Sequence, residues 1–444
     1  MNKTILIIIA LPLVIIIALF MLNKFEPSLI VQLLFGFIFF CSVFFSRGIL
    51  IVLTVLCLVS TQSYFPTIAT AALSLRWVFF SLFCLHVFGD IFLGRTVRRI
   101  KSFDVLAIVF LIYAFLSRYY SPFPSLTLER TMTVSALYIS VFWIIWKYAY
   151  DQGPEKVISL ILHVMMFVCI IGYLMIFIGP HRPFMAARFT GIFTNPNGLG
   201  VICAILLPVS LWQFLETRKR TSLLLFFLIL LALLLSGARG SINATVIALG
   251  YFIYIRSKKY RPLLFFTLMS FAWVMIWVIE ILIKEFFKAY IRIETIPILG
   301  GRLEIWPVAL TLIMNKPIFG YGFGTEDKLI ELKKIILRQH AGSYVHNSYL
   351  GMLLQLGIIG FIIFYIPLFI LLFKELFLTR DTPVSLLRYA LRASLIAGLI
   401  CCIYESWIYS VGNAVAFPFW ILVMLLTFCR YRDKEKGIVE VSGT

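Results

Sequence analysis

SLLLFFLILLALLLSGARGSINATVIALGYFIYIR, residues 222–256, decides the fold class. An uncharged run from Leu223 to Leu235 is interrupted by Ser236, Gly237, Ala238, Arg239 and Gly240, and a second apolar run continues from Ile242 to Ile255. A membrane-crossing helix needs ~20 mostly apolar residues. The stretch therefore reads as two spans, the first of them short, joined by a tight turn that carries one arginine.

The pattern repeats along the 444 residues. The chain is 62% hydrophobic and only 13% charged, with a mean hydropathy of +1.01. Soluble domains hold about 25% charged residues, so most of this surface faces something other than water. Apolar runs predict helices near 4–22, 29–45, 48–61, 73–93, 103–117, 131–149, 156–178, 197–215, 222–236, 241–256, 262–283, 347–373, 390–409 and 412–429. The third and ninth are short, which gives an all-α polytopic membrane protein of roughly 12–14 spans. No small-residue cleavage site follows the run from Thr4 to Met21, which reads as a retained first helix. The eight cysteines lie in or beside apolar runs, so no disulfide framework and no metal–thiolate site is expected. The net charge of +19 does not indicate nucleic acid, because the basic residues punctuate hydrophobic runs and form no basic face on a water-exposed domain.

Placing the N-terminus in the cytoplasm puts Arg95–Lys101, Arg218–Arg220, Arg256–Arg261, Lys374–Arg392 and Arg430–Lys436 on the inside, as the positive-inside rule requires. Both termini are then cytoplasmic. Ser117–Arg130, Gly179–Asn197, Ser236–Ser241 and the long loop Lys284–His346 fall outside. Chemistry driven by ATP or a nucleotide sugar is disfavoured there, since those donors are cytosolic and the chain has no Walker-type glycine loop.

The topology makes the outer arginines informative: Arg76, Arg118, Arg130, Arg182, Arg188, Arg239, Arg292 and Arg302. Arg239 fits either an arginine snorkelling to the headgroups or a member of an anion site. Several arginines on one face favour the anion, and their fork of donors suits a diphosphate better than a carboxylate. Outside a cytoplasmic membrane a diphosphate usually belongs to a lipid carrier. Asn195-Pro196-Asn197-Gly198 reads as a turn into a helix, with Asn195 and Asn197 placed either as plain caps or facing a ligand. Gly300-Gly301-Arg302-Leu303-Glu304-Ile305-Trp306 offers Arg302, a partner in Glu304 and an aromatic platform in Trp306 for a sugar ring. Asn315–Gly324, with Tyr321 among its glycines, is either a close-approach ligand turn or a connector, and Glu326–Arg338 reads as an amphipathic surface helix. His346 and Asn347 stand at the mouth of the next helix. His346 is either a cap or a base for a sugar hydroxyl, which its ordinary pKa near 6.5 would suit.

These motifs, in this order and on one side of the membrane, resemble the O-antigen ligase and O-antigen polymerase superfamily across roughly residues 190–360: Phe193–Gly198, Ser236–Gly240, Gly301–Trp306, the glycine turn, and His346 followed by Gly357. The resemblance implies a GT-C-like glycosyltransferase that moves a glycan from a polyprenyl (undecaprenyl) diphosphate carrier to a sugar hydroxyl. Arg239 and Arg302 would hold the leaving diphosphate, His346 would orient or deprotonate the hydroxyl, and displacement would invert the anomeric carbon. Arg188 joins them by its nearness to the Asn-Pro-Asn turn. No metal or other cofactor is expected, because the outer loops lack an acidic pair with metal spacing. Glu405, near the end of the thirteenth span, reads either as a partner for a site arginine or as a buried structural acid.

The expected organisation is an N-terminal bundle over 1–190, a ligase or polymerase core over 191–373 including the loop 284–346, and a C-terminal helix pair with its tail over 374–444. The location is the bacterial cytoplasmic (inner) membrane with an extracytoplasmic site. Partners are the lipid-linked donor, an acceptor that is lipid-linked glycan or lipid A-core, and membrane lipids. Fourteen spans, against the twelve usual for the family's ligases, incline the reading to a repeat-unit polymerase over a ligase. A lipid-linked oligosaccharide flippase is the reading from another class, but a carrier would place charges along the bundle axis in both halves with repeat symmetry. No such repeat is present.

Overall fold

The computed structural model describes residues 47–92, 98–177, 183–185, 188–256, 302–332, 344–377, 384–410 and 414–442. The helices expected at 4–22, 29–45 and 262–283 lie outside them, as do Arg182, Arg292, His181 and His340. The described helices are α1 (Arg47–Ser60), α2 (Pro66–Phe92), α3 (Ser102–Leu116), α4 (Pro124–Ile139), α5 (Trp146–Gln152), α6 (Pro154–Leu174), α7 (Pro196–Thr217), α8 (Arg220–Ser236), α9 (Arg239–Arg256), α10 (Arg302–Asn315), α11 (Glu326–Glu331), α12 (Ser348–Phe377), α13 (Leu386–Tyr404) and α14 (Ala416–Ser442). A π-helical segment, Ser140–Ile145, joins α4 to α5 in one span. Among the described residues seven helices are long and apolar enough to cross a membrane, and α1 and α8 are shorter apolar helices. The chain is an all-α multi-pass membrane protein. Its excess of apolar residues is visible as exposed Phe88, Ile112, Phe167, Phe227 and Ile362 on helix faces that suit lipid.

The centre of the bundle is α7, which packs against α8, α9 and α13. Small residues set this approach: a Cβ on Gly200 would collide with Ala238 and sit 3.1 Å from Ser241 Oγ, so a larger residue would push α9 away. A second, smaller core gathers Ile305, Ala309 and Ile313 of α10 with Leu329, Ile330, Val345 and Leu354. The sequence predicts a loop over 284–346, and the structure has helix α10 within it. Its buried positions recur four apart, the spacing of one helix face.

The glycine turn 317–324 packs on α12 where that helix breaks at Gly357, whose φ is +61°. The break leaves carbonyls that need donors inside the bundle. Tyr321 N–H donates to Leu354 O (3.1 Å), Gly322 N–H to Gln355 O (2.7 Å) and the Tyr113 hydroxyl to Leu356 O (3.1 Å). The turn is thus a connector that completes a broken helix.

Charged residues at one end of the bundle pair with each other. Buried Glu375 of α12 holds Arg388 (2.7 Å) and Arg392 (2.8 Å) of α13, and Arg47 meets Asp90 at 2.6 Å. The polar segments 61–65, 117–130, 188–197, 236–241 and 344–348 meet at the other end, linked by Thr194 N–H to Gln62 O (2.9 Å), Phe323 N–H to Ser117 Oγ (3.0 Å) and Arg130 to Asp327 (2.6 Å). Here the candidate site lies.

Candidate functional site

Helix α13 ends at Tyr404, earlier than the apolar run suggests, and the extended backbone of Glu405 turns its carboxylate toward three other segments. Oε1 accepts Asn197 Nδ2 at 2.7 Å and Arg302 Nη2 at 3.1 Å, while Oε2 takes His346 Nδ1 at 2.8 Å. A carboxylate accepts only, so the last contact fixes the proton on Nδ1 and leaves the lone pair of the neutral ring on Nε2. Arg302, the first residue of α10, also donates to Tyr404 O at 2.5 Å. Arg188 is buried one bond behind the hub. Its Nε donates to Ser236 O (2.7 Å) and its Nη2 to Asn197 Oδ1 (2.5 Å), which orients the Asn197 amide toward Glu405.

His346 carries a positive φ of +52°, uncommon for a residue with a side chain. Its neighbours hold it there. Val345 N–H donates to Glu326 Oε1 (2.8 Å), Trp306 Nε1 to Val345 O (3.2 Å), Asn347 N–H to Ser406 Oγ (3.1 Å), and Ser348 Oγ to Glu405 O (2.7 Å). Such strain persists where the surroundings over-determine it, and it concentrates at functional sites. Glu326 is itself fully buried and takes further hydrogen bonds from Ser406 Oγ (2.7 Å), Gln355 Nε2 (3.3 Å) and the Tyr409 hydroxyl. Burial raises its carboxyl above the usual range, and the donors from Tyr409, Ser406 and Val345 oppose that rise. For His346, burial pulls the imidazole down, but the hydrogen bond and charge of Glu405 outweigh it and Arg302 combined, leaving it above its ordinary value.

Two cavities meet at Glu405. The smaller, 270 Å³, is lined by Arg239, Arg302, Asn197, Ser241, Tyr404 and Glu405. Arg239 opens α9, so the helix brings its N-terminal amides to the same cavity, and a Cβ on Gly240 would lie 2.6 Å from the Tyr404 ring. The larger, 420 Å³, takes in His346, Glu405 and residues from the first half of the chain. Two arginines on one side of a carboxylate–imidazole pair, with a second cavity on the other, can hold an anionic leaving group apart from a nucleophile. Among the described residues no group of three or more His, Cys, Asp or Glu is placed to hold a metal ion, and the described cysteines are free thiols.

Residues 224–365 match the sequence profile of the family described as O-Antigen ligase. About a third of the chain is therefore similar to the O-antigen ligase family. Over 188 residues it is 26% identical to the ComP-specific O-oligosaccharyltransferase of Acinetobacter baylyi, covering 40% of this chain and 34% of that one. Two Rickettsia proteins with the provisional description of polysaccharide ligase are also similar. The Rickettsia felis protein is 28% identical over 160 residues (33% of this chain, 38% of the relative), and the Rickettsia conorii protein 27% over 241 residues (50% and 56%). The chain thus spans from about a third to just over half of these relatives' lengths.

Arg239, Arg302 and His346 lie inside the matched stretch, whereas Arg188, Asn195, Asn197 and the hub Glu405 lie outside it. The fold brings His346, Arg302 and Asn197 onto Glu405 and sets Arg239 beside Arg302 in the smaller cavity. Asn195 caps α7, its side chain accepting Asn197 N–H at 2.8 Å, and also lines the larger cavity. Asn347 caps α12 through Tyr349 N–H (2.9 Å) and Leu350 N–H (3.1 Å). Trp306 packs in the smaller core as a strut on Val345, and Tyr321 stacks with Lys316 at 4.8 Å. Glu304, in the first turn of α10, Trp306, Tyr321 and Asn347 line neither cavity. The sequence does not single out Glu326 or Ser406. Glu326 stands beside Asp327 and five residues before Glu331 in a mixed-charge segment, so nothing in the local pattern marks it as the buried one.

Proposed function

We propose that the chain is a membrane glycosyltransferase that moves a glycan from a polyprenyl diphosphate carrier to a hydroxyl acceptor on the extracytoplasmic side of a bacterial cytoplasmic membrane. The observation that carries this reading is the two-sided hub: Glu405 joins an arginine-lined cavity to a histidine that faces a second cavity. Arg239 and Arg302 take the diphosphate. The acceptor hydroxyl oxygen attacks the anomeric carbon as the bond from that carbon to the phosphate oxygen breaks, with inversion. The electron pair leaves with the diphosphate, where arginines preorganised away from bulk water stabilise the developing charge. The hydroxyl proton passes to His346 Nε2, and the imidazolium so formed is held by Glu405. Arginine supplies the cationic charge throughout, so the reaction is metal-independent.

The similar proteins are named as an oligosaccharyltransferase and polysaccharide ligases, which favours transfer of a whole glycan over the repeat-unit polymerisation toward which the span count inclines. Incubating purified protein with a polyprenyl diphosphate oligosaccharide, with and without a lipid A-core acceptor, tests the reading. One glycan transferred only when acceptor is present is the expected result, and a ladder formed without it would establish polymerisation. Movement of the lipid between leaflets with no new glycosidic bond would overturn the transferase reading in favour of a flippase.

A further inference from the structure

Arg130 of α4 ties the first half of the chain to the second. Its fork meets both oxygens of Asp327, Nη1 donating to Oδ1 at 2.8 Å and Nη2 to Oδ2 at 2.6 Å, and Nη1 also donates to the carbonyl of Gly324. Gly324 is held from its other side as well, because its N–H donates to Gln355 Oε1 of α12 at 2.6 Å. Its φ of +77° and the closeness of the arginine both require glycine: a Cβ there would collide with Arg130 Cδ and lie 2.8 Å from Arg130 Cβ, an atom that no side-chain rotation can move away. The fit recurs two residues earlier, where a Cβ on Gly322 would lie 2.5 Å from Ser121 Cβ. Segments 117–130 and 321–327 are thus matched to each other at the level of the backbone.

Between Gly324 and Asp327 stands Glu326, whose Oε1 accepts Val345 N–H at 2.8 Å and Ser406 Oγ at 2.7 Å. Helix α11, which begins at Glu326, is only six residues long, and so short a helix has no stability of its own. Its place is set by what grips it: the smaller core around Leu329 and Ile330, and the Arg130 fork at its first turn. We propose that Arg130 is a positioning residue for the reaction: it fixes the 324–327 turn, the turn sets Glu326 against the backbone of Val345, and that contact holds His346 at its positive φ against Glu405. The role rests on the proposed transferase function and deepens it. A planar fork is required, since a lysine ammonium lacks the paired donors that meet both carboxylate oxygens. Arg130 precedes the stretch that matches the O-antigen ligase family, whereas Gly324, Glu326, Asp327 and His346 lie inside it. The N-terminal helices therefore contribute to the geometry of the histidine as well as to the membrane bundle.

His346 can be followed by NMR in the detergent-solubilised full chain with isotope-labelled histidine, its signals assigned by their loss in His346→Gln. Glu405, Arg302 and Glu326 are the charges that bear on its imidazole. In Arg130→Gln the hydrogen bond from Nδ1 to Glu405 should weaken, so that the Nδ1 proton exchanges faster and the ring titrates at lower pH than in the parent. Removal of a bare positive charge would move the titration the other way, to higher pH, so the direction separates the two roles. Arg130→Lys keeps the charge and loses the fork, and should move the titration in the same direction as Arg130→Gln. In a Glu326→Gln background, Arg130→Gln should add no further shift, because residues that act through one group are not additive. In the transfer assay kcat should fall by up to about 10²-fold, the scale of a 1 Å misplacement, while both KM values stay within about twofold. A titration unmoved or raised in Arg130→Gln, or a full shift persisting in the Glu326→Gln background, would overturn the positioning role. A higher KM for one substrate with kcat unchanged would do so too, making Arg130 a binding residue. The histidine signals need no substrate. A protein that shows these shifts but forms no glycosidic bond would therefore keep the hold of Arg130 on His346 and reject the transferase reading.

Discussion

His346 and Glu405 are 59 residues apart in sequence and 2.8 Å apart in space. The same carboxylate binds Arg302 through its other oxygen, so one acidic side chain couples the arginine cavity to the histidine. A shift at either partner is felt by the other through a single rigid group.

That coupling sets an expected pH dependence. Glu405 holds the His346 imidazole above its ordinary value near 6.5, so the neutral, proton-accepting form is lost as pH falls through a point higher than that. The sign for stability is the opposite: a raised folded pKa contributes stability that is full below the unfolded pKa and disappears as pH rises through the folded one. In the profile of kcat/KM, the acidic limb should lie above 6.5 and move to lower pH in Glu405→Gln. The rate plateau of that variant should also fall by about 10²- to 10⁴-fold, because the ring loses its orienting partner. An acidic limb unmoved by the substitution would remove Glu405 from this role.

Arginine chemistry gives the next expectation. If Arg302 both grips the diphosphate and anchors Glu405, its planar fork is needed and a lysine point charge cannot replace it. Arg302→Lys and Arg239→Ala should each lower kcat by about 10²- to 10³-fold, the scale of losing one preorganised donor to a developing anion. Inorganic pyrophosphate should compete with the donor in the parent protein and lose potency in both variants. A chelator should leave turnover intact, and strict dependence on an added divalent ion would refute charge stabilisation by arginine.

How much of this could be read from the sequence differs between elements for physical reasons. Spans show in the sequence because lipid demands long uncharged runs, and the Ser222–Arg256 hairpin appears where it was expected. Arg239, Arg302 and His346 stood out because charge and imidazole are conspicuous at the ends of such runs. Helix α10 did not, since Pro307 reads as a breaker and conceals the four-residue spacing of Ile305, Ala309 and Ile313. The sequence offers Arg302 a partner in Glu304, two residues away, and leaves Glu405 open between a partner for a site arginine and a buried structural acid; the fold brings Glu405 to Arg302 from 103 residues away. Pairings of that range depend on how helices cross, which local pattern does not encode.

Gly357 should prove essential to the fold. Its φ of +61° suits glycine, and a Cβ there would collide with the backbone carbonyl of Ile318 on the connecting turn. Neither contact can yield by rotating a side chain. Gly357→Ala should cost at least ~1–3 kcal/mol, seen as a lower thermal midpoint in detergent. Gly89→Ala, where a Cβ meets nothing within 4 Å in the last turn of α2, should be neutral or stabilising by up to about 1 kcal/mol. Equal midpoints for the two variants would show that the break in α12 is not needed.

Glu326 provides the last expectation, because it supports His346 without touching the reacting groups. Its two oxygens face donors from Val345, Ser406, Gln355 and Tyr409. An amide in its place would turn an NH₂ group toward some of them, and the buried N–H of Val345 and the amide of Gln355 cannot become acceptors in return. Glu326→Gln should therefore destabilise the protein by ~1–3 kcal/mol and loosen the strained backbone at His346. Since Glu326 acts through position, kcat should fall while donor KM holds, and the acidic limb of the pH profile should move to lower pH by less than in Glu405→Gln, because the Glu326 charge is the smaller of the two that raise the His346 imidazole. An unchanged kcat would remove Glu326 from this positioning role.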